Sequence, residues 1–264
     1  MSIYDRLLKR IKDYDNSVIA YSGGVDSSLL VLLSHLSGIR FLPITIISEV
    51  ITKEDTEEAK NLTKGIGVHH HLEYVSLLSH ENFRLNPRDR CFYCKEIIMK
   101  RLRVISQNMD FRYILEGSNH DDLGDWRPGL NAIKLFDEVK SPFIELSIKK
   151  SDIRDILRQI GFSNWDKPSS TCLATRVYYD TEITEPLLQK IRDSEAILRK
   201  RGFNDVRVRT NGTTALIEVN KGQNHLILNT PLGEEIKSEI SSFGFTSVEI
   251  AEEGYISGRL NQKI

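Results

Sequence analysis

The chain has 264 residues, of which 40% are hydrophobic and 28% are charged, and its formal net charge is −1. This length fits one large or two modest domains, and the composition is ordinary for a globular protein. The near-zero net charge supplies no general field that would draw the chain to nucleic acid or to a membrane. No apolar run approaches the roughly 20 residues that span a bilayer, and the first residues lack the apolar core of a signal peptide. We therefore expect a cytoplasmic protein without membrane or nucleic-acid partners.

The first half of the chain predicts alternating helices and strands. Apolar residues at helical spacing predict helices at 3–13, 29–36, 52–66, about 95–108 and 149–160. Short apolar runs predict strands at 18–21, 41–47, 69–75 and 113–116. Strands separated by helices of this length indicate a parallel sheet that is covered on both faces. Ligands then bind beyond the carboxyl ends of the strands.

A change of rhythm near residue 167 predicts a second domain. A helix is expected at 185–201, strands at 206–209 and 215–219, a further helix near 234–243 and a last strand at 247–250. The Asn211-Gly212 pair between the first two of these strands is a hairpin signal. The fold class predicted is therefore α/β over residues 1–166, with a Rossmann-like parallel sheet, followed by a small α+β domain over residues 167–264.

The most informative stretch is Ser22-Gly23-Gly24-Val25-Asp26-Ser27-Ser28, which lies between the first strand and the second helix. Its two glycines let the backbone approach a ligand closely. The helix that follows points its unbonded N–H groups and its positive dipole end at the loop, which favours a bound anion such as phosphate. The hydroxyls of Ser22, Ser27 and Ser28 add donors, and Asp26 can hold the Mg²⁺ that accompanies the phosphates.

This loop differs from a Walker A motif, because it contains no lysine that could reach a terminal phosphate. The order Ser-Gly-Gly-x-Asp-Ser resembles the PP-loop of the ATP pyrophosphatases. The resemblance implies that ATP is cut between its α- and β-phosphates and that AMP is passed to a substrate oxygen. ATP and Mg²⁺ are the cofactors that it implies.

A second polar segment follows the strand at 113–116, so it is expected at the same edge of the sheet as the loop. Its candidates for nucleotide contacts are Gly117, Asn119, His120, Asp121, Asp122, Asp125 and Arg127. The three consecutive histidines at 69–71 are a weaker signal. Neighbouring side chains of a strand point to opposite faces, so the three rings do not converge on one metal ion.

The three cysteines lie in segments that favour chemistry over packing. Cys91 and Cys94 form a Cys-x-x-Cys pair, which suits one face of a helix or a loop around a metal. Cys172 lies in a Ser/Thr-rich segment near Arg176, and such an electropositive setting favours a reactive thiolate. Three thiolates cannot close a Cys₄ site, but they can hold a [4Fe–4S] cluster with one iron left open. A purely structural role for the cysteines stays open at this point.

Further motifs occur in one order along the chain. They are Asn86-Pro87-x-Asp89-Arg90-Cys91-x-x-Cys94-Lys95, Glu116-Gly117-x-Asn119-x-Asp121-Asp122, Arg127-Pro128-Gly129, Lys167-Pro168-x-x-x-Cys172-Leu173-Ala174-x-Arg176, Arg207-Val208-Arg209 and Glu253-Gly254-Tyr255-x-Ser257-Gly258. Together with the PP-loop, they resemble the LarE family, the ATP-dependent sulfur transferases of nickel-pincer nucleotide synthesis. The resemblance covers nearly the whole chain.

The resemblance implies a reaction on a small carboxylate nucleotide, a pyridinium-3,5-biscarboxylate mononucleotide. ATP adenylylates a substrate carboxylate, pyrophosphate leaves, and a sulfur nucleophile then displaces AMP to give a thiocarboxylate. It implies catalytic roles for Asp26, Cys172 and Arg176, and it places Arg207 and Arg209, with Glu195, where the family holds phosphate and substrate. It also suggests a homo-oligomer built through the second domain.

Members of this family differ in their sulfur source. One type has a single cysteine, at the position matching Cys172, and gives up its own sulfur to leave dehydroalanine. Another type has three cysteines that hold a [4Fe–4S] cluster with an extra sulfide. With Cys91, Cys94 and Cys172, this chain fits the cluster type, and external sulfide or another sulfur donor would then reload it.

Three other interpretations stay open. A tRNA thiolase would use the same loop and a similar cluster, and basic segments exist at 100–103 and 199–201, but RNA binding favours a well-positive net charge. An amidotransferase-type synthetase that uses ammonia would not need the three cysteines. A nucleotide-binding sensor with a structural zinc on the three cysteines would release no pyrophosphate.

Overall fold

The computed structural model describes residues 1–124, 126–167, 171–256 and 259–261. It separates into two compact units, one formed by Met1–Leu77 with Asp89–Ser170 and the other by Leu78–Arg88 with Thr171–Ile264. The division departs from a contiguous boundary after residue 166, because residues 78–88 group with the second unit. Four residues named above lie outside the described residues, namely the candidate Asp125 and the motif residues Pro168, Ser257 and Gly258.

The elements follow one another along the chain as helices α1–α10 and strands β1–β8. The helices are α1 Ile3–Lys12, α2 Val25–Ser37, α3 Lys53–Gly65, α4 Glu81–Arg84, α5 Arg90–Asn108, α6 Pro128–Ile133, α7 Pro142–Glu145, α8 Lys150–Gln159, α9 Glu185–Lys200 and α10 Pro231–Ser241. The strands are β1 Ser17–Ala20, β2 Phe41–Ile47, β3 His71–Tyr74, β4 Tyr113–Leu115, β5 Val139–Lys140, β6 Arg207–Thr210, β7 Thr214–Glu218 and β8 Ser247–Ile250.

The first unit contains a five-stranded sheet in the order β3-β2-β1-β4-β5, and every strand pair in it is parallel. The predicted Rossmann-like α/β architecture is therefore confirmed. The chain winds outward from β1 to β2 and β3 on one side, and to β4 and β5 on the other. The strand order thus reverses between β1 and β4, and such a switch point is where open α/β sheets bind ligands.

Both faces of this sheet are covered, as the continuous apolar strands require. Neighbouring residues of β1 show the alternation, because Ile19 belongs to the apolar cluster under α1, α2 and α8, while Val18 belongs to the cluster under α5 and α6. Helix α2 is buried along most of its length, including Leu29 and Leu30 at 0% exposure. This burial fixes the helix whose amino terminus faces the PP-loop.

The second unit contains a three-stranded sheet in the order β6-β7-β8. Strands β6 and β7 are antiparallel and β7 and β8 are parallel. The predicted hairpin lies at Asn211-Gly212, where Gly212 has a φ of +97° and the Asn211 side chain accepts hydrogen bonds from the backbone N–H groups of Thr213 and Thr214. Apolar side chains of the sheet pack with those of α9 and α10 in one cluster.

Residues 78–88 are joined to the second unit by hydrogen bonds around Asn86. The side-chain amide of this buried asparagine donates to the carbonyl oxygens of Val177, at 3.3 Å, and Tyr178, at 2.8 Å. Its own carbonyl oxygen accepts from the N–H of Asp180 at 3.1 Å. Asn86 has a φ of +57°, a conformation that asparagine tolerates better than most residues.

Several boundaries differ from the predicted ones. Helix α2 begins at Val25, inside the PP-loop, and not at residue 29, because Gly24 already serves as its N-cap. Helix α10 begins at Pro231, three residues before the expected start, since Thr230 caps it and proline is favoured in a first helical turn. Among the described residues, no helix is long and apolar enough to cross a membrane.

Candidate functional site

The PP-loop connects β1 to α2 through a turn that only glycine adopts without strain. Gly23 has a φ of +77°, and a Cβ placed on it would lie 2.7 Å from the carbonyl oxygen of Asp55 in α3. Gly24 is the N-cap of α2 and offers no side-chain hydrogen bond to the helix. The first-turn N–H groups of α2 are therefore not capped by a side chain, and they face the loop.

The loop serines mostly hydrogen-bond to one another. The hydroxyl of Ser27 accepts from the N–H of Ser22 at 3.2 Å, lies 3.0 Å from the Ser22 hydroxyl, and donates to the carbonyl oxygen of Gly24 at 3.1 Å. Ser28 is 2% exposed, and its hydroxyl lies 3.5 Å from that of Tyr21. Burial raises the pKa of Tyr21 to about 12, so this phenol keeps its proton at neutral pH. These hydroxyls thus stabilise the shape of the loop.

The segment after β4 lies directly against the PP-loop. A Cβ on Gly117 would lie 3.1 Å from the backbone nitrogen of Ser27, so glycine permits this close approach. The buried side chain of Asn119 donates to Oδ1 of Asp26 at 3.4 Å. The structure therefore brings the predicted residues of the two loops together at the switch point.

Asp26 also contacts a residue that no motif pointed to. Its Oδ2 lies 2.5 Å from Nζ of Lys150, in the first turn of α8 and 124 positions along the chain. Both side chains are 25% exposed. Only the position of Lys150, at the start of the helix that follows β5 and α7, could have hinted at this contact.

The remaining polar residues of the second loop stabilise its turn. Asp122 accepts from the backbone N–H of Asn119 at 2.9 Å and pairs with Arg127 at 2.8 Å. Burial raises the pKa of Asp122, although the Asn119 N–H and the Arg127 charge oppose that effect. The side chain of Arg127 is 52% exposed, so its guanidinium lies at the rim of the loop. His120 donates its backbone N–H to the carbonyl oxygen of Ile148.

Glu116, which directly follows β4, is a buried carboxylate with several hydrogen-bond partners. It is 1% exposed and accepts hydrogen bonds from the hydroxyls of Ser118, at 2.8 Å, and Ser141. Nζ of Lys95 lies 3.6 Å from its Oε2. Glu116 thereby links β4 to α5, the helix that carries Cys91 and Cys94.

Cys91 and Cys94 lie one turn apart in the first two turns of α5. Cys91 is exposed and Cys94 is partly exposed. Helix α6 approaches this turn closely, since a Cβ on Gly129 would lie 3.4 Å from the carbonyl oxygen of Cys91. Cys172, in the second unit, is partly exposed and precedes a short 3₁₀ helix, Leu173–Arg176. In the described part of the chain, no three His, Cys, Asp or Glu side chains are grouped as metal ligands.

Arg176 holds the Cys172 segment in place from inside the second unit. Its side chain is 3% exposed, and its NH1 donates to the carbonyl oxygens of Thr171, at 2.7 Å, and Cys172, at 3.1 Å. Its Nε donates to Glu195 at 3.0 Å. These contacts give Arg176 a positioning role toward the Cys172 segment, and the catalytic role that we expected from the sequence stays a prediction.

The two arginines of β6 have different surroundings. Arg209 is 5% exposed, and it donates to Glu218 at 2.8 Å and to the carbonyl oxygen of Thr175 at 2.9 Å. Arg207 donates to the carbonyl oxygen of Val206 and lies 5.1 Å from the ring centre of Tyr255. Among the described residues, no carboxylate forms an ion pair with Arg207. Burial, and then the charge of Arg176, lower the pKa of Arg207 from its ordinary value, whereas the charge of Glu195 opposes this effect.

Comparisons with known proteins identify relatives that span almost the entire chain. The uncharacterized protein slr1717 of Synechocystis sp. is 36% identical over 252 residues, 95% of this chain and 93% of that protein. The uncharacterized protein MJ0830 of Methanocaldococcus jannaschii is 31% identical over 91% of this chain and 90% of its own length. The chain belongs to the family of these two proteins. No family model matches it.

Another relative of this chain is named for an enzymatic activity. The pyridinium-3,5-bisthiocarboxylic acid mononucleotide synthase of Lactiplantibacillus plantarum is 29% identical over 98% of this chain and 93% of its own length. This relative confirms the resemblance to the LarE enzymes that the motifs indicated, whereas the three-cysteine cluster type stays a prediction. A subunit of the glutamine-hydrolyzing GMP synthase of Archaeoglobus fulgidus is 22% identical over 58% of this chain and 53% of its own length.

Proposed function

We propose that this family member is an ATP-dependent sulfur transferase that activates a carboxylate by adenylylation and then replaces AMP with sulfur. The observation that carries the proposal is the PP-loop at the β1–β4 switch point, with Asp26 held between Asn119 and Lys150. The similarity to a synthase named for a thiocarboxylate product, over 98% of the chain, supports sulfur as the transferred atom.

The residues of the loop fit a nucleoside triphosphate and its magnesium ion. The uncapped first turn of α2 offers N–H groups to phosphate oxygens, and Gly23 and Gly117 leave no side chain in the way. The partly exposed carboxylate of Asp26 is the kind of oxygen ligand that Mg²⁺ takes beside phosphates. When bound, ATP supplies the adenylyl group and Mg²⁺ neutralises part of its charge. The similarity to GMP synthase subunits also favours ATP.

The proposed reaction has two steps, adenylylation of the carboxylate and displacement of AMP by sulfur. A substrate carboxylate oxygen attacks the α-phosphorus, the bond from that phosphorus to the bridging oxygen breaks, and pyrophosphate leaves with the electron pair. A sulfur nucleophile then attacks the acyl carbon, and the carbon–oxygen bond to AMP breaks. The products are a thiocarboxylate, AMP and pyrophosphate. Activation is needed because a free carboxylate is a poor acyl donor, whereas its mixed anhydride with AMP is a good one.

For the acceptor, we propose a pyridinium-3,5-biscarboxylate mononucleotide, whose conversion would give a product of the kind named for the Lactiplantibacillus relative. Its phosphate requires a cation, and Arg207 fits that role because no carboxylate of the described chain pairs with it. Arg209 fits it less well, since Glu218 already occupies its guanidinium.

The test is carboxylate-dependent pyrophosphate release by the intact chain with Mg²⁺ and ATP, followed by mass analysis of the acceptor. We expect release that depends on the mononucleotide and an acceptor in which sulfur replaces oxygen. Asp26→Asn should stop release, because the amide binds Mg²⁺ more weakly, and Cys172→Ala should stop sulfur transfer while release continues. Release that depends on tRNA and not on the carboxylate would instead favour the tRNA thiolase.

For the sulfur source, we propose that Cys91, Cys94 and Cys172 bind a [4Fe–4S] cluster, which when bound supplies sulfide to the acyl carbon. The donor set fits, because three thiolates leave one iron open and Cys91 and Cys94 share one turn of α5. Anaerobic purification with iron, sulfide and zinc counts tests this. We expect about four irons per chain, and loss of iron on replacing any of the three cysteines by serine.

The sacrificial alternative makes the opposite prediction. If Cys172 gives up its own sulfur, turnover removes the mass of H₂S from the chain, and the Cys91→Ser and Cys94→Ser variants still complete one turnover. Zinc in place of iron, without pyrophosphate release, would favour the sensor. Assembly into a homo-oligomer stays a prediction, which light scattering of the intact chain would test.

A further inference from the structure

Hydrogen bonds to the loop after β4 position the two groups that contact Asp26, Lys150 and Asn119. The backbone N–H of Lys150 donates to Oδ2 of Asp121 at 2.9 Å, and the N–H of Asp121 donates to Oδ1 of Asn119 at 3.0 Å. The loop after β4 thereby fixes both groups that reach Asp26. Lys150 touches Oδ2 of Asp26, and Asn119 touches Oδ1.

The side chain of Lys150 is expected to contribute little to the stability of the fold. Lys150 lies in the first turn of α8, and a cation at a helix amino terminus faces the positive end of the dipole. A partly exposed ion pair contributes only about 0–1 kcal/mol. Lys150 therefore occupies an electrostatically unfavourable helix position, and its ion pair stabilises the fold only slightly. A role in ligand binding explains a lysine at this position better.

The PP-loop itself lacks the lysine that other phosphate loops use for the terminal phosphates. A bound triphosphate brings several negative charges next to Asp26, which is itself an anion. If Asp26 turns its carboxylate to Mg²⁺, the ammonium of Lys150 loses its partner at the same edge of the sheet. A lysine side chain is flexible and carries three donors, so it can turn to phosphate oxygens nearby.

We propose that Lys150 is a catalytic residue that binds the β- and γ-phosphates of ATP and stabilises the departing pyrophosphate. This inference rests on the proposed function, since it requires that the chain cleave ATP between the α- and β-phosphates. When the bond from the α-phosphorus to the bridging oxygen breaks, the electron pair passes to that oxygen. Lys150 donates hydrogen bonds to the pyrophosphate and keeps its proton. In the structure, its ammonium is the counter-ion of Asp26.

The experiment compares Lys150→Met, Lys150→Arg and Lys149→Met in the intact chain, using calorimetric titration with magnesium pyrophosphate and, separately, with AMP. Lys149 is the matched control, because it is adjacent, exposed and equally charged. Loss of a charge-assisted contact should weaken pyrophosphate binding by Lys150→Met about 10- to 100-fold. AMP has no β-phosphate, so its affinity should change less than about twofold in every variant. Lys150→Arg should retain most of the pyrophosphate affinity.

The outcomes separate the inference from the function on which it rests. Wild-type protein that binds AMP and pyrophosphate, with Lys150→Met matching Lys149→Met, would overturn the role of Lys150 and leave the proposed function standing. Equal weakening of AMP and pyrophosphate by Lys150→Met would also overturn it, because that pattern means a distorted loop. Wild-type protein that binds neither ligand would overturn the proposed function itself. Selective weakening of pyrophosphate binding, with slower pyrophosphate release, supports Lys150.

Discussion

Nε of Arg176 lies 3.0 Å from Oε1 of Glu195, and their side chains are 3% and 1% exposed. Glu195 also accepts hydrogen bonds from Arg199 at 2.6 Å and from the backbone N–H of Val208 at 3.2 Å. Since Arg176 donates to the carbonyl oxygens of Thr171 and Cys172 as well, this pair ties the Cys172 segment to α9 and β6. The position of the Cys172 backbone therefore depends on a buried charge pair.

Replacing Arg176 by methionine should lower the free energy of unfolding by about 2–3 kcal/mol, because the buried carboxylate of Glu195 loses one of its cationic partners and keeps Arg199. Urea unfolding of the intact chain measures this change. The double variant Arg176→Met/Glu195→Leu should recover part of the loss, because it removes the buried carboxylate.

The control is Arg158→Ala, which breaks an exposed pair with Asp155 and should change stability by less than about 1 kcal/mol. An Arg176→Met protein of wild-type stability that had lost only sulfur transfer would contradict the positioning role. It would identify Arg176 as a group that acts on the reacting atoms.

The parts of the fold that the sequence predicted are those set by local pattern. Phe41–Ile47 and Ser247–Ile250 were predicted as strands with the observed bounds, because their apolar residues and flanking polar residues leave little choice of element. The strand–loop–helix form around residues 22–28 was equally predictable, since the two glycines follow an apolar strand and precede an apolar helical pattern. Parallel pairing then places the loop after β1 beside the loop after β4.

The parts that were missed depend on contacts between distant residues. The pairing of Lys150 with Asp26 spans 124 positions and follows no spacing rule. Residues 78–88 join the second unit through the Asn86 side chain, which bonds to carbonyl groups 91 and 92 positions away. Nor does the order Arg207-Val208-Arg209 reveal that only the second arginine has a carboxylate partner among the described residues. Such pairings arise from tertiary packing, which local sequence patterns do not encode.

Replacing Gly23 by alanine should destabilise the chain and weaken ATP binding, because the new Cβ combines a positive φ with a 2.7 Å contact to the Asp55 carbonyl oxygen. Gly38→Ala is a matched control, since Gly38 follows the last turn of α2 with a φ of +67° but a Cβ there meets nothing within 4 Å. We expect a cost of about 1–2 kcal/mol for Gly38→Ala from the left-handed conformation, and about 1–3 kcal/mol more for Gly23→Ala from the clash.

Urea unfolding gives the two stability changes, and calorimetric titration with magnesium ATP gives the two affinities. Only Gly23→Ala should lose ATP affinity. Equal effects of the two substitutions on stability and affinity would mean that the close approach of Gly23 to α3 does not shape the loop.

His70 should make stability dependent on pH. Its ring lies between the hydroxyls of Thr45, at 2.8 Å, and Thr63, at 3.2 Å, and a neutral ring can hydrogen-bond to both. Burial, with the charge of Lys60, lowers the pKa of His70 from 6.5 to about 4. Below pH 6.5, the unfolded chain binds a proton that the folded chain does not. The free energy of unfolding should therefore fall as the pH decreases from 6.5 toward 4, and this contribution is complete above 6.5.

Urea unfolding across the upper part of this window, above the range near pH 4 where carboxylates titrate, measures the effect. His70→Asn should lose most of the slope. His35→Asn, which changes an exposed histidine of α2, should keep it. A wild-type slope in the His70→Asn protein would place the responsible group elsewhere.

Replacing the two arginines of β6 by methionine, one at a time, should have different effects on stability and on substrate binding. Burial raises the pKa of Glu218, while Arg209 and then Arg259 oppose that rise, so Arg209→Met leaves a fully buried carboxylate with one partner fewer. This change should cost about 2–3 kcal/mol of stability. Arg207→Met removes a cation without a carboxylate partner among the described residues, so stability should change by less than about 1 kcal/mol.

Binding of the pyridinium mononucleotide should show the reverse order. Arg207→Met should weaken it about 10- to 100-fold through the lost contact to phosphate, whereas Arg209→Met, in the absence of denaturant and at a temperature where it is folded, should weaken it less. Urea unfolding and calorimetric titration on the same two proteins give both comparisons. A destabilised Arg207→Met protein with unchanged mononucleotide affinity would remove Arg207 from the substrate site, because the guanidinium would then serve only the packing around Tyr255.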